Sequence, residues 1–150
     1  KQKETGTLTI TDPRMTRFWL TVDDGVSFVI NSLGRMQGGE VFVPKIPSMR
    51  IQELATAIAP ECEQVISGIR PGEKLHEIMI PTDEARQTLE FDDYFIILPD
   101  FHMWRPKAEL LYDGKPGTPV PEGFSYTSDG NTEWMNAGDL STIIDDGAAA

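Results

Sequence analysis

The chain has 150 residues, 39% of them hydrophobic and 25% charged, and it carries a formal net charge of −11. This length and composition are those of an ordinary globular protein with a core of its own. The acidic balance argues against nucleic acid, whose phosphate backbone requires a basic face. No apolar run approaches the roughly 20 residues of a membrane-spanning helix. We therefore expect neither a nucleic-acid partner nor a membrane span.

The charges are unevenly divided along the chain. Residues 1–74 contain nine Lys or Arg and nine Asp or Glu, whereas residues 75–150 contain four and fifteen. The neutral first half can focus several arginines on one small anion, while the acidic second half is expected to face solvent or a partner. The one cysteine, Cys62, excludes an intramolecular disulfide, and the start lacks a signal-peptide stretch. The single cysteine favours a reducing compartment, so we expect a cytoplasmic protein.

The first predicted elements follow residue 21. Apolar residues at helical spacing predict a helix over 22–33, with Asp23 or Asp24 capping its first turn. The apolar stretch 41–44 then predicts a short buried strand that ends at a proline. A second amphipathic helix is predicted between Ser48 and Pro60, with its apolar residues on one face.

The next elements include a turn. Residues 65–69 predict a short strand that leads into Arg70 and the Pro71-Gly72 turn, and the spacing over 75–79 predicts a helical turn. Alternation of strands and helices indicates an α/β fold.

The texture changes after Pro81. Residues 91–98 predict a strand, residues 112–131 an extended or loop-rich region, and residues 136–144 a short final helix, with Trp134 packing back onto the body. We expect an α/β portion over 1–82 and an acidic extension over 83–150, although one continuous domain fits the pattern equally well.

Two arginines flank Met15-Thr16 ahead of the first predicted helix. Arg14 and Arg17, together with the hydroxyls of Thr11 and Thr16, can converge on one anion. Arginine suits this role because its planar fork binds phosphate oxygens in pairs. The alternative is ion pairing with a nearby carboxylate such as Asp12, and the spacing alone favours neither interpretation.

A second candidate pair straddles the Pro-Gly turn. Arg70 and Glu73 can point the same way, the cation to a phosphate and the carboxylate to ribose hydroxyls. Taken alone, a solvated surface turn is the commoner explanation. Lys45 follows a predicted strand, which is a common ligand position in α/β sheets, but a solvated lysine explains it better.

The sequence gives little support for a metal site or for a dinucleotide-binding loop. His76 and His102 lack partners at metal-ligand spacing, so no metal site is predicted. Neither a Gly-x-x-Gly-x-x-Gly nor a Gly-x-Gly-x-x-Gly loop is present, and no tyrosine has a lysine four residues later. The chain therefore cannot supply a dinucleotide fold by itself.

Three longer motifs occur in order along the chain. They are Thr11-Asp12-Pro13-Arg14-Met15-Thr16-Arg17-Phe18-Trp19, Gly38-Gly39-Glu40-Val41-Phe42-Val43-Pro44-Lys45-Ile46-Pro47-Ser48-Met49 and Gly68-Ile69-Arg70-Pro71-Gly72-Glu73-Lys74-Leu75-His76-Glu77. Together they resemble the inverting UDP-N-acetylglucosamine 4,6-dehydratases of the extended short-chain dehydrogenase/reductase superfamily. The stretch 43–49 favours the inverting over the retaining branch. The ending at 126–134 is also similar to the family's tail.

The resemblance implies the α/β, C-terminal substrate-binding part of such an enzyme, without the N-terminal Rossmann half. It puts Arg17 and Arg70 on the diphosphate of a UDP-sugar and Glu73 near the uridine ribose. The residues that it places along the nucleotide-sugar path are Thr11, Asp12, Arg14 and Met15, with Thr7 at the edge.

The implied reaction is an internal redox cycle on UDP-N-acetylglucosamine. Hydride leaves C4 for NADP, water is lost across C5 and C6, and hydride returns to C6 with inversion at C5. NADP and every catalytic residue belong to the preceding half, so this chain alone is expected to be inactive. Family membership also implies a homo-oligomer that serves pseudaminic acid synthesis, flagellin glycosylation or other surface glycans.

Two alternatives remain open. A related nucleotide-sugar epimerase or a retaining dehydratase would use the same diphosphate arginines and form another product. A non-catalytic module that binds a nucleotide sugar or a protein partner belongs to a different class, and its acidic second half would form the docking surface.

Overall fold

The computed structural model describes residues 1–99 and 110–148, and the chain forms two compact units that interleave in sequence. The first unit contains Lys1–Trp19, Pro47–Glu77 and the described residues from Ser128 onward. The second contains Leu20–Ile46 and the described residues between Ile78 and Thr127. The predicted division at 82/83 falls inside the second unit and stays a prediction. His102 lies outside the described residues.

The first unit is built from two strand pairs and two helices. Strands β1 (Thr7–Ile10) and β5 (Glu63–Ile66) run parallel, whereas β2 (Thr16–Phe18) and β4 (Ser48–Arg50) run antiparallel. The helix α2 (Ile51–Ile58) packs on α3 (Ala137–Ala148).

The interior of the first unit combines apolar and polar side chains. Its buried apolar residues are Ile10, Met15, Met49, Ala55, Ala59 and Leu140. Ser48, Thr16 and Ser128 are also buried and all three are hydrogen-bonded. Buried hydroxyls with partners avoid the free-energy cost of an unpaired polar group.

The second unit contains the helix α1 (Val22–Arg35) and a sheet of four antiparallel strands. In spatial order, the strands are β11 (Thr118–Pro119), β7 (Thr88–Glu90), β8 (Tyr94–Ile97) and β3 (Val41–Pro44). Two shorter antiparallel pairs complete the unit, β6 (Ile78–Ile80) with β12 (Tyr126–Thr127) and β9 (Leu111–Tyr112) with β10 (Lys115–Pro116). Asp113 and Gly114 join β9 to β10 with positive φ angles, as a tight hairpin turn requires.

The core of the second unit is rich in aromatic rings. Its buried cluster consists of Leu89, Tyr94, Ile96, Leu98, Leu110 and Tyr112, and Phe28, Phe42 and Phe91 pack against it. One carboxylate, Glu40, is buried with this unit and accepts hydrogen bonds from the N–H groups of Gln37 and Gly38 and from the Tyr112 hydroxyl. Burial opposes ionisation of Glu40, but these bonds outweigh it and lower the carboxyl pKa. Burial raises the pKa of Tyr112, so its hydroxyl stays a donor.

Most helices and strands predicted from the sequence are confirmed. These are α1, α2, α3, β3 and β8, and the loop-rich region after Tyr112 holds only two-residue strands. The strand predicted over 65–69 is confirmed only in part, because β5 spans Glu63–Ile66. The cap of α1 is Thr21, whose hydroxyl accepts the N–H of Asp24, so the prediction of Asp23 or Asp24 as the cap was wrong. Strand β3 is buried only in part, because Val41 is 55% exposed.

Other details of the predictions were wrong or absent. The helical turn expected over 75–79 is instead occupied in part by β6, which pairs with β12. The strands β1, β2 and β7 were not predicted, because each is only three or four residues long. Trp134 contacts the body, as predicted, through a backbone bridge to Ser48 and through the Arg50 guanidinium, but it is 41% exposed. Within the described residues, no helix is long and apolar enough to cross a membrane.

Candidate functional site

The candidate site lies where β1 and β5 end. The two strands pair in parallel register, Ile10 opposite Ile66, and the N–H of Ser67 donates to the Ile10 carbonyl at 2.9 Å. The segments that follow both strands, 11–14 and 67–73, therefore start at the same edge. The carboxyl edge of parallel strands is where α/β proteins commonly bind ligands.

The turn over 70–73 is shaped by Glu73. Its N–H donates to the Arg70 carbonyl at 3.1 Å, and its carboxylate accepts the Arg70 N–H at 3.2 Å. The other carboxylate oxygen accepts the Thr11 hydroxyl at 3.4 Å, a weak bond near the distance limit. Gly72 has a φ of +80°, a left-handed conformation that favours glycine, which explains the glycine of the Pro-Gly turn. The structure thus brings Thr11, Arg70 and Glu73 together.

Arg70 is the cation that this turn presents. The residue is exposed, and its guanidinium makes no ion pair with any described residue. All of its side-chain donors are therefore available to a ligand at the strand edge.

Arg14 is paired with Asp12 beside the same edge. The guanidinium donates to both carboxylate oxygens, at 2.9 and 2.7 Å, and the Arg14 N–H adds a third bond at 2.8 Å. The hydrogen bonds from the Arg14 side chain and backbone lower the pKa of Asp12 to about 2. The ion-pair alternative for Arg14 is therefore the arrangement observed, although its side chain is 71% exposed, which leaves an open side.

Arg17 is bound mainly by the protein itself. Nη1 donates to the carbonyls of Thr16 and Leu75, at 2.7 and 3.1 Å, and Nη2 donates to the carbonyl of Lys74 at 3.0 Å. Nε lies 3.4 Å from the Glu77 carboxylate. Arg17 thus ties β2 to the segment 74–77. A bound anion would share this guanidinium with the protein or replace one of these partners.

Two other predicted site residues are not brought to the edge. Met15 is buried in the core of the first unit, and its sulfur contacts the Arg17 guanidinium at 3.8 Å. Thr7 lies at the opposite end of β1, paired with Glu63. Neither side chain faces the exposed edge that carries Arg70.

A buried polar network supports the same segments and was not predicted from the sequence. The Thr16 hydroxyl lies 2.8 Å from Nδ1 of His76 and 2.6 Å from the Ser128 hydroxyl. Ser128 also accepts the Glu77 N–H at 2.9 Å, and its own N–H donates to the Glu77 carbonyl at 2.9 Å. The network joins residues as many as 112 positions apart, so no local pattern could reveal it.

Lys45 belongs to the second unit and is not a solvated lysine. Its ammonium lies 2.7 Å from the Glu90 carboxylate and 4.9 Å from the centre of the Phe95 ring. It lines an open groove of about 390 Å³, where Lys115 pairs with Asp92 at 3.2 Å. Each lysine of this groove has an acidic partner, so the groove offers an anion little net charge.

Comparison with known families identifies the class of protein. Residues 1–99 of the 150 match the model of the family described as polysaccharide biosynthesis protein. The chain belongs to this family.

Individual relatives show which enzymes the chain is similar to. The chain is 48% identical over 139 residues to the UDP-N-acetylglucosamine 4,6-dehydratase (inverting) of Campylobacter jejuni subsp. jejuni serotype O:23/36, covering 91% of this chain and 42% of that protein. It is 33% identical over 146 residues to the UDP-glucose 4-epimerase of Rickettsia conorii, covering 95% and 42%. The resemblance seen in the three sequence motifs is confirmed. The chain spans about two fifths of the length of these relatives.

A solved structure supports the fold. The X-ray structure of Pen from Bacillus thuringiensis aligns with a TM-score of 0.75 at 24% identity, covering 97% of this chain and 42% of that chain. At this identity the likeness bears on fold alone, and it confirms the predicted α/β class.

Proposed function

We propose that this chain is the C-terminal, substrate-binding part of a C5-inverting UDP-N-acetylglucosamine 4,6-dehydratase. The observation that carries the proposal is the exposed guanidinium of Arg70, which has no ion-pair partner among the described residues. It lies on a turn shaped by Glu73, at the carboxyl edge of β1 and β5. The identity of 48% to the inverting dehydratase of Campylobacter jejuni supports the substrate class and the stereochemical branch.

The diphosphate of the nucleotide sugar is the group that this edge suits best. Arg70 can donate two parallel hydrogen bonds to phosphate oxygens, each contributing about 1.5–3 kcal/mol. Arg14 adds positive charge through its open side, and Asp12 fixes its direction through the bidentate pair. Thr11 adds a hydroxyl at the start of the same segment.

Glu73 is proposed to bind the uridine ribose. Its bond to the Thr11 hydroxyl, at 3.4 Å, is long, and the paired ribose hydroxyls can replace it with shorter bonds. The bond from the Arg70 N–H would remain and keep the turn in place. Substrate binding and the shape of the turn thus depend on the same carboxylate.

Arg17 is proposed as the second diphosphate ligand. The carbonyls of Thr16, Leu75 and Lys74 hold Nη1 and Nη2, whereas Nε has the Glu77 carboxylate at 3.4 Å as its partner among the described residues. An approaching phosphate can replace Glu77 at Nε and leave the carbonyl bonds intact. Met15 would contribute by packing beneath Arg17, and Thr7 would act at the far margin of the path.

NADP does not fit the residues of this chain. The sequence has no glycine-rich dinucleotide loop and no tyrosine followed four residues later by lysine. We place NADP and the catalytic residues in the N-terminal Rossmann half of the whole protein, and this chain alone is then inactive. The whole protein is proposed to be a cytoplasmic homo-oligomer that supplies a 4-keto-6-deoxy-L-hexosamine for pseudaminic acid, flagellin glycosylation or other surface glycans.

A 4-epimerase is the second candidate, favoured by the 33% identity to the Rickettsia conorii enzyme. Both reactions require a bound UDP-sugar diphosphate, so the edge at β1 and β5 does not distinguish them. Only analysis of the reaction product distinguishes an epimerase from a dehydratase.

The test uses the reading frame extended upstream, incubated with UDP-N-acetylglucosamine and NADP, with the product followed by NMR. A 4-keto-6-deoxy sugar inverted at C5 is expected. A C4 epimer or retained C5 configuration would assign the chain to a related enzyme. Binding without turnover would favour the non-catalytic module, and absence of UDP-sugar binding would refute the site.

Variants link the reaction to the proposed residue. Arg70→Ala should weaken UDP-sugar binding roughly 100-fold or more and leave NADP affinity unchanged, because it removes two charged hydrogen bonds to the diphosphate alone. Lys115→Ala is the matched control, because it removes an exposed cation of the second unit. Equal effects of the two variants would contradict a specific role for Arg70.

A further inference from the structure

The helix α1 carries an apolar stripe that is largely exposed in the described structure. Its residues recur at helical spacing, and they are Val22 (82% exposed), Val26 (53%), Val29 (57%), Ile30 (63%) and Leu33 (63%). Phe28, on another side of the helix, packs against the core cluster of the second unit. The helix is therefore anchored by one side and leaves its main apolar stripe exposed, which is unusual for a stable protein surface.

The size of the stripe argues against a second copy of the chain as the main occupant. The helix has 14 residues, so its face is about 21 Å long and 10–12 Å wide, or roughly 250 Å². A stable interface between separate proteins buries about 800 Å² on each partner. One helix face is thus too small to hold two free molecules together.

A partner in the same polypeptide needs much less area. Docking within one chain occurs at an effective concentration in the millimolar range, because the entropy of association is largely avoided. The chain spans 42% of the length of its dehydratase relative from Campylobacter jejuni, so such a polypeptide has more than half of its length available to cover the stripe.

We infer that the stripe of α1 is the docking surface for an apolar face of the portion of the full-length protein that this chain does not span. The inference rests on the proposed function only in taking this chain as part of such a longer protein. It assigns the interface to Val22, Val26, Val29, Ile30 and Leu33. Asp23 and Asp24 in the first helical turn form a polar margin beside it.

The experiment compares two variants in two proteins, the 150-residue chain and the reading frame extended to the length of the relatives. Ile30→Lys places a charge on the stripe, and Asn31→Lys places the same charge on an exposed polar position of the same helix. Melting temperature and molar mass in solution are measured for all four proteins and for both parents.

In the 150-residue chain, both variants should melt within about 2 °C of the parent, because neither position is buried there. In the extended protein, Ile30→Lys should lower the melting temperature by roughly 5 °C or more, while Asn31→Lys should not. Equal melting of the two variants in the extended protein would overturn the inference. So would conversion of a dimeric 150-residue chain to a monomer by Ile30→Lys, because a second copy would then be the occupant.

The result is independent of catalysis, since neither measurement uses a nucleotide sugar. An extended protein that passes this test and forms no 4-keto product would refute the dehydratase proposal and leave the docking surface in place. An active dehydratase whose melting temperature is unchanged by Ile30→Lys would support the dehydratase proposal and refute the docking surface.

Discussion

The two units of the molecule use different interactions to join distant parts of the chain. In the first unit, the buried hydroxyls of Thr16 and Ser128 connect segments that are 112 residues apart. In the second unit, stacked and edge-on aromatic rings such as Phe91, Tyr94 and Tyr112 fill the interior. Hydrogen bonds are directional and apolar contacts are not, so the buried hydroxyls constrain the angles between segments of the first unit. The second unit also contains a buried bond, from Tyr112 to Glu40, but its interior consists mainly of apolar and aromatic contacts.

The difference matters because the candidate site belongs to the first unit. The directional network holds the segment 74–77, whose carbonyls in turn bind Arg17. A ligand site needs its groups held within a fraction of an ångström, and rigid polar supports achieve this. The second unit is expected to tolerate small shifts in its interior without any effect on substrate binding.

The largest expected effect is the loss of a side chain from the second core. Ile96 is fully buried within the apolar cluster, so Ile96→Ala should lower the free energy of unfolding by about 2–5 kcal/mol in urea denaturation. The neighbouring Ile97 is only partly buried on the same strand, and Ile97→Ala should cost at most about half as much. Similar losses at both positions would show that the cluster is not the main source of stability.

A smaller loss is expected from the polar network of the first unit. Ser128→Ala removes the hydroxyl that Thr16 and the Glu77 N–H share. The Thr16 hydroxyl keeps Nδ1 of His76 as a partner, whereas the Glu77 N–H loses its acceptor. The free energy of unfolding should fall by about 1–3 kcal/mol. Ser67→Ala, at an exposed position of the same unit, is the control and should change it by less than about 0.5 kcal/mol.

The two predicted diphosphate arginines should separate in their effects on folding. Arg17→Ala removes bonds to the carbonyls of Leu75 and Lys74 and should cost about 1–2 kcal/mol of unfolding free energy. Arg70→Ala removes no side-chain bond to any residue that the structure describes, and the unfolding free energy should stay within about 0.5 kcal/mol of the parent. Urea denaturation without ligand measures both. If Arg70→Ala were the more destabilising, the free guanidinium described at this turn would be wrong.

The sequence allowed prediction of those elements whose signal is local. Apolar spacing, with Pro60 marking the end of the second helix, was enough to locate α1 and α2, because a helix closes its hydrogen bonds within four residues. The cap of α1 was assigned to Asp23 or Asp24 instead of Thr21. The strand β6 was missed because Leu75, Ile78 and Met79 have helical spacing, while its partner β12 lies far along the chain. Three-residue strands depend on such partners and leave little pattern of their own.

The candidate site was predictable in composition and not in its contacts. The motifs pointed to Arg70 and Glu73 together, and the parallel pairing of β1 with β5 explains why Thr11 joins them. The Arg17 guanidinium donates to carbonyls 57 and 58 positions away. These contacts could not be predicted, because no local sequence pattern indicates them. Likewise, amphipathic spacing identified the apolar stripe of α1 without indicating that it lies exposed.

The smallest expected effect is electrostatic and belongs to Asp12. Its pKa in the folded chain is about 2, against an ordinary value of 3.8, because Arg14 donates hydrogen bonds to the carboxylate. A lowered pKa stabilises the folded state at pH values above the ordinary pKa, and this contribution is lost as the pH falls from about 4 towards 2. Asp12→Asn should therefore flatten the acid limb of a stability profile measured by urea denaturation between these values.

The magnitude of this effect should be small and sensitive to salt. The side chain of Arg14 is 71% exposed, so water and ions screen its attraction for Asp12. Raising the ionic strength should therefore reduce the difference in unfolding free energy between the parent and Asp12→Asn. Asp23→Asn is a control, because the residue is exposed in the first turn of α1 and has no arginine partner among the described ion pairs. An acid limb that Asp12→Asn leaves unchanged, at low salt, would mean that the bidentate pair does not persist in solution. The Arg14 guanidinium would then be free to bind the diphosphate together with Arg70. The segments 11–14 and 67–73 would each supply one arginine, and only 67–73 would add a carboxylate for the ribose, that of Glu73.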